Sequence, residues 1–431
     1  VALGHLHGRH VLTSSIRYSG SPLAYSFSEA DHLKGSWLID LELDQFENGD
    51  VGAVVPDILK RQNEIGDWTV QGRAGWADAA SIVPMTSLLH FGDKTVVKQQ
   101  LNSMRRWTMA LHNRRAGEKF LPTEFQFGDW CDPDAPSDRP WESKVSADLV
   151  ANAFFANTVN LQVQAEQLVG DKEHEAKFQQ MFDTLKADFW ERFGAEVQTT
   201  TAGAAIAIEF GLVPAGQVAA IAKHLSDMVI ADAGKITTGF LGTPLILHAL
   251  SKNGHFDAAY TMLLRTDFRS WLYAVDKGAT SMWERWDAIR HDGSIHTGAM
   301  DTAPEGQEDS SMISFNHYAY GAVVDWIYRN VAGISGSDGF RQVSVQPTVV
   351  AGMTYAKGKV ESRYGTTAVE WQLQDSGVLE VLVQVPFGVT ASLTLPTTAS
   401  SAVLVNGGEL KNTLGYGSHR ILVTNPQIIR K

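Results

Sequence analysis

In Lys172-Glu173-His174-Glu175-Ala176-Lys177-Phe178-Gln179-Gln180-Met181-Phe182-Asp183-Thr184-Leu185-Lys186-Ala187-Asp188-Phe189-Trp190-Glu191-Arg192-Phe193, the large apolar residues Phe178, Phe182, Leu185, Phe189 and Phe193 step by 4, 3, 4 and 4. That is the period of an α-helix with one apolar face. The stripe reads as core and nothing more. It carries no chemistry of its own, but it sets the period by which the neighbouring segments are read.

The same spacing recurs on both sides. Residues 147–168 bring Val150, Phe154, Leu161, Ala165 and Leu168 to one face, and residues 94–113 form the helix before the intervening loop. Residues 76–91 read as another helix, with Pro84 expected to kink it. Further upstream, residues 29–46 align Leu33, Trp37, Leu41, Leu43 and Phe46, and Asn48-Gly49-Asp50 closes the run. Residues 1–27 are irregular, with a short helix expected near 23–27, and residues 51–70 read as a loop. Downstream helices fit 203–210, 215–232, 244–253, 255–265, 267–274 and 312–331. Short turns such as Gly211-Leu212-Val213-Pro214 and Asn253-Gly254 imply antiparallel hairpins. About eleven helices are counted, with a twelfth at the N-terminus. A toroid of six hairpins, an (α/α)6 barrel, needs twelve.

After Gly333 the period changes to two. Val343-Ser344-Val345-Gln346, Thr367-Ala368-Val369-Glu370-Trp371-Gln372-Leu373, Leu379-Glu380-Val381-Leu382-Val383-Gln384-Val385 and Ala391-Ser392-Leu393-Thr394-Leu395 alternate between apolar and polar, bounded by Gly, Pro, Asp and Asn. The expected organisation is mainly α. A helical barrel spans 1–335, including the irregular segment 1–27, and an antiparallel β-sandwich spans 336–431.

Composition narrows the function. At 431 residues and 44% hydrophobic the chain can bury a large core. Its charge, 36 − 48 = −12, argues against a polyanionic partner, which wants a basic patch. No run approaches the roughly 18 apolar residues of a membrane span. A single cysteine, Cys131, rules out an internal disulfide framework but leaves the compartment open between secreted and cytoplasmic. The chain does not begin with Met and shows no signal peptide, so a leader or an upstream segment is expected to have been removed.

Four aromatic-acidic segments stand at helix boundaries: Gly75-Trp76-Ala77-Asp78, Phe127-Gly128-Asp129-Trp130-Cys131-Asp132, Met282-Trp283-Glu284-Arg285-Trp286-Asp287 and Phe315-Asn316-His317-Tyr318. Each has a plainer reading. Asp78 fits a helix N-terminus, Asp129 and Asp132 fit turns, His317 fits a satisfied core histidine, and Glu284 fits an ion pair with Arg285 or a distant arginine. Together they fit sugar recognition. Trp76, Trp130 and Trp283 or Trp286 would offer flat apolar faces to a sugar ring. Asp78, Asp129 and His317 would bond its hydroxyls, and Glu284, costly to bury without purpose, would be the general base. No histidine pair has metal-ligand spacing and no glycine-rich phosphate loop follows a strand, so neither metal nor cofactor is expected.

Five pieces carry a resemblance: Gly75-Trp76-Ala77-Asp78-Ala79-Ala80 leading to Val83-Pro84, Phe127-Gly128-Asp129-Trp130, Thr237-Thr238-Gly239-Phe240-Leu241-Gly242-Thr243, Gly278-Ala279-Thr280 with Trp283-Glu284-Arg285-Trp286-Asp287, and Phe315-Asn316-His317-Tyr318-Ala319-Tyr320-Gly321. In this order they resemble the bacterial and fungal α-L-rhamnosidases of glycoside hydrolase family 78, over roughly residues 30–350. The resemblance implies an (α/α)6 barrel followed by a β-sandwich and inverting hydrolysis of terminal α-L-rhamnose. It places the general base on Glu284 and rhamnose contacts on Trp76, Trp130 and His317. The implied partner is a rhamnose-containing glycoside, with no nucleic acid and no membrane, and a homodimer is left open.

One departure stands out. The family carries its general acid in an acid-rich motif ending in Gly-Trp-Thr-Gly-Asp before the first barrel helices. Here Leu12-Thr13-Ser14-Ser15-Ile16-Arg17-Tyr18-Ser19-Gly20-Ser21 occupies that place without one carboxyl group. Inversion needs two carboxyls about 6.5–9.5 Å apart. Asp57, Glu64, Asp67 and Asp132 are substitutes among which the sequence does not choose. The competing expectation is a glycan-binding relative that holds rhamnose without turnover. An enzyme for acidic sugars fits less well, because it would want Arg or Lys in loops that are rich in Asp.

Overall fold

The structure, a computed structural model, describes residues 73–122, 126–299, 312–409 and 412–430, together with the backbone of a two-residue antiparallel ladder between β1 (His10–Val11) and β2 (Arg17–Tyr18). The helices expected at 23–27 and 29–46, the substitute acids Asp57, Glu64 and Asp67, and most of the segment 12–21 lie outside the described residues.

The helical part contains α1 (Ala79–Phe91), α2 (Lys94–Arg114), α3 (Ala147–Val169), α4 (Lys172–Val197), α5 (Thr201–Glu209), α6 (Val218–Ala231), α7 (Thr243–Lys252), α8 (Phe256–Leu263) and α9 (Trp271–Asp276). Capping side chains set many of the starts. The side chains of Asp93, Ser146, Asp171, Thr200 and Ser270 accept bonds from the backbone amides of Thr95, Leu149, His174, Gly203 and Tyr273. Left-handed Gly92 and Gly170 close α1 and α3. Pro84 does not break α1, which runs through it and starts three residues later than expected. In α4 the predicted stripe is inward: Phe178, Leu185, Phe189 and Phe193 are buried, with Val197 extending the row. α3 is its main neighbour and buries most of its circumference. Glu166, wholly buried on α3, is matched by Arg105 of α2 in a forked pair at 2.6 Å.

The helix expected at 312–331 forms only in its second half. Residues 312–318 are not helical, because their backbone is taken by the preceding loop. Glu284 N donates to Ser314 O at 2.8 Å and His317 N to Met282 O at 2.8 Å. The helical turns that follow change pitch twice: a 3-10 turn (Ala319–Ala322), α10 (Val323–Trp326) and a π-turn (Ile327–Ala332), closed by left-handed Gly333.

The β region begins at once. Its strands are β3 (Ile334–Ser337), β4 (Gln342–Val345), β5 (Tyr355–Ser362), β6 (Gly365–Leu373), β7 (Leu379–Val385), β8 (Thr390–Leu393), β9 (Val403–Val405), β10 (Thr413–Leu414) and β11 (Gly417–Val423). They form two sheets, ordered β10-β8-β4-β3 and β5-β6-β7-β11-β9. The ladders are antiparallel except one: β4 and β8 run parallel, Val343 opposite Ala391, which corrects the all-antiparallel expectation. Inward residues of both sheets share one core, with Val343, Val345, Trp371, Val381, Val383 and Ile421. Trp371 also ties this core to the helical part, donating Nε1 to Val331 O at 2.7 Å. Trp371→Phe removes that donor and leaves the Val331 carbonyl buried without it. It should cost about 2 kcal/mol in urea unfolding.

Candidate active site

Three of the four aromatic-acidic segments contain buried groups, and two of those groups are carboxylates expected to face a sugar. Asp78 is 1% exposed and Asp129 0%. Asp78 accepts from the amide of Gly75, from Trp107 Nε1 at 2.7 Å and from Thr158 Oγ1 at 2.8 Å. Asp129 accepts from the amides of Gly239, Leu241 and Gly242 at 2.7, 2.8 and 2.8 Å. Both are therefore framework groups: their oxygens are spent on the protein. Asp132 is similarly placed, 3% exposed, with one oxygen accepting from Asp134 N and the other from Lys144 N, each at 2.9 Å. Desolvation by burial pushes the Asp78 and Asp129 carboxyls up to about 6, against the pull of their donors, and raises Asp132 as well.

The sign of the pH effect follows from these shifts. A carboxyl whose folded pKa lies above its unfolded value binds its proton more tightly in the folded state. For Asp78 the resulting stabilisation is full below the ordinary aspartate value of 3.8 and is lost as pH rises through about 6. The stability of the unsubstituted protein minus that of Asp78→Asn should therefore be larger at pH 4 than at pH 7, read from paired thermal melts.

The two tryptophans beside Glu284 point inward. Trp283 is 4% exposed and edge-on to Phe315 at 5.5 Å. Trp286 is 6% exposed, stacked on Tyr320 at 4.1 Å and edge-on to Trp271 at 5.8 Å. They are packing residues, not walls. Arg285, one of the two partners considered for Glu284, turns to Asp287 instead, Nε to Oδ1 at 3.1 Å. The Glu284 side chain keeps 12% of its surface, and its Oε1 lies 3.8 Å from Nε2 of His317.

Trp76 is 41% exposed, and Trp130 is half-buried. Their rings meet edge-on at 6.0 Å, and Phe127 touches both, at 5.0 and 5.7 Å. Trp76 also approaches Phe240 at 6.2 Å, and Phe240 stacks under His317 with centroids 4.9 Å apart and planes 22° apart. Trp76, Phe240, Leu241, His317 and Tyr318 line one wide, mostly apolar groove. The structure thus brings together Trp76, Trp130, His317 and Glu284, and places Asp78, Asp129, Trp283 and Trp286 behind them. Phe240 and Phe127 were missed as individual residues. The signal for Phe240 was its position between two glycines in a segment already singled out.

Backbone strain marks the same place. Gly128 and Cys131 both adopt left-handed φ, +60° each, so the chain reverses tightly around Asp129 and Trp130. Tyr320 Oη donates to Cys131 O at 2.8 Å and locks this reversal to the turn after His317. Among the described residues no cluster of His, Cys, Asp and Glu could hold a metal ion.

The family described as bacterial alpha-L-rhamnosidase 6 hairpin glycosidase domain matches residues 16–331, and its C-terminal domain matches residues 333–409. The chain belongs to this family, the α-L-rhamnosidases of glycoside hydrolase family 78. An α-L-rhamnosidase of Streptomyces avermitilis is 32% identical over 424 residues, covering 95% of this chain and 38% of its own length. One from Formosa agariphila is 27% identical, covering 88% of this chain and 39% of its own length. Among solved structures, native α-L-rhamnosidase of Aspergillus terreus matches with a TM-score of 0.75 at 27% identity, over 89% of this chain and 44% of that one. The S. avermitilis enzyme in complex with L-rhamnose matches with a TM-score of 0.70 at 30% identity, over 82% of this chain and 33% of that one. The helix-rich body with a C-terminal sheet region agrees with these folds. The chain spans less than half the length of these rhamnosidases.

Proposed function

We propose that this chain hydrolyses terminal α-L-rhamnose from rhamnosides with inversion, and that Glu284 is the general base. One observation carries the reading. Glu284 is a partly exposed carboxylate beside the assembled aromatic cluster, 3.8 Å from an imidazole that is itself stacked on Phe240. Such a carboxylate can take a proton from water as the water attacks the anomeric carbon. Trp76 and Trp130 would offer apolar faces to the sugar, and His317 would bond a ring hydroxyl. The helices would close as an (α/α)6 barrel around this site, as six hairpins. Membership of a rhamnosidase family and similarity to a relative solved with L-rhamnose support the choice of sugar.

The test is release of rhamnose from an aryl α-L-rhamnoside by the full 431-residue chain, with the product anomer followed by NMR. A phenolate of low pKa leaves with little protonation, so the assay reports on the base even where acid assistance is weak. Immediate appearance of the inverted anomer supports the reading. Rhamnose binding in calorimetry with no release would overturn hydrolysis in favour of a glycan-binding relative.

A further inference from the structure

The Asp129 carboxylate gathers three consecutive-loop amides, those of Gly239, Leu241 and Gly242, inside 2.8 Å. The remaining amide of that loop, Phe240 N, donates to Trp130 O at 2.8 Å. The loop therefore has every one of its four amides bound by residues 129 and 130. Two glycines make the approach possible. A Cβ on Gly239 would meet Asp129 O at 2.1 Å, and one on Gly242 would meet Asp129 Oδ2 at 2.9 Å. Two side chains of the clamped loop, Phe240 and Leu241, line the groove, and the Phe240 ring lies under His317 and edge-on to Tyr320 at 5.2 Å. His317 in turn reaches Glu284.

We propose that Asp129 is the positioning residue of this site: by clamping residues 239–242 it sets the Phe240 ring, and the ring sets the height and tilt of His317 beside Glu284. The inference rests on the reading of Glu284 and His317 as the reacting site. Asp129 itself touches no substrate. A nest of parallel amide donors is matched by a carboxylate, whose oxygens only accept. An asparagine presents one NH2 to an amide that also donates, so the loop must move away. Stacked aromatic contacts are short-ranged, so His317 follows that displacement. In a positioned site a misplacement of about 1 Å can cost about 100-fold in rate.

The experiment compares the full chain with Asp129→Asn, Phe240→Leu and Trp371→Phe. The His317 ring protons are assigned by loss of their signal in His317→Gln. In the unsubstituted chain they should lie upfield, shielded by the Phe240 ring. In Asp129→Asn and in Phe240→Leu they should move downfield. With aryl rhamnoside, kcat should fall about 100-fold in Asp129→Asn. Trp371→Phe, destabilised far from the site, should keep both its kcat and its His317 shift. If Asp129→Asn loses melting temperature alone, with His317 and kcat behaving as in Trp371→Phe, the residue is merely structural and the proposal fails. Should Asp129→Asn not fold, an unmoved His317 signal in Phe240→Leu is enough to overturn it. If the unsubstituted chain releases no rhamnose, the functional reading falls, but the NMR arm still decides the positioning role.

Discussion

Glu284→Gln should abolish most rhamnose release while leaving the sugar bound. The substitution keeps shape and size, and the backbone bond from residue 284 to Ser314 O is untouched. What disappears is the basic oxygen. Removing a general base typically lowers a rate by about 10²–10⁴-fold. Because water activation is needed in the transition state and not for binding, the loss should fall on kcat, with KM and the dissociation constant of free rhamnose changed by less than about threefold. The neighbouring imidazole cannot substitute, since its Nε2 sits 3.8 Å from Oε1 and is stacked between Phe240 and Tyr318. The check is steady-state kinetics on an aryl α-L-rhamnoside together with calorimetry of L-rhamnose. A variant that retains kcat within a factor of three, or loses binding in proportion to rate, would remove Glu284 from the role of base.

How much of this could be read from residues alone depends on what each residue had to satisfy. The α4 stripe was legible because burial of a helix face leaves a fixed period, and the structure buries four of its five residues, with Phe182 half-buried against the same core. The β strands were legible for the same reason, since β7 alternates inward and outward along its whole length. The parallel β4–β8 pairing was not, because strand alternation says nothing about the direction of a partner distant in sequence. Residues 312–318 kept helix-compatible side chains but lost their backbone bonds to the loop before Glu284, a long-range competition that no local pattern records. In the site, sequence reasoning named segments that the structure brings together, but not which of their side chains turn inward. Asp78 and Asp129 looked like sugar contacts because a carboxylate can bond ring hydroxyls, and Trp283 and Trp286 because an indole face suits a sugar ring. Their partners are internal: three loop amides for Asp129, an amide, an indole N–H and a hydroxyl for Asp78, and Phe315, Tyr320 and Trp271 for the rings. A residue type states its chemistry, whereas its direction depends on neighbours up to about a hundred positions away, as Asp129 and Gly239 show with a separation of 110.

That same neighbour relation yields the second large effect, at Gly239. Its φ is not in the left-handed region, so alanine meets no backbone penalty there, and the whole cost is contact. A Cβ would lie 2.1 Å from Asp129 O, 2.4 Å from Trp130 O and 2.6 Å from the Asp129 carbonyl carbon. All three are backbone atoms, and those of Asp129 and Trp130 lie in a reversal fixed by left-handed Gly128 and Cys131, so no rotamer change relieves them. Either the loop retreats and gives up its amide bonds to a buried carboxylate, or the strain is held. Overpacking alone costs about 1–3 kcal/mol, and a buried acceptor stripped of a charged hydrogen bond adds about 1–3 more. Gly239→Ala should therefore lose at least about 3 kcal/mol in urea unfolding. Gly216→Ala, where no atom lies within 4 Å and φ is ordinary, should be neutral or slightly stabilising. A Gly239→Ala protein as stable as Gly216→Ala would mean that residues 239–242 do not lie against Asp129 in solution. The arrangement that presents Phe240 to His317 would fall with that contact.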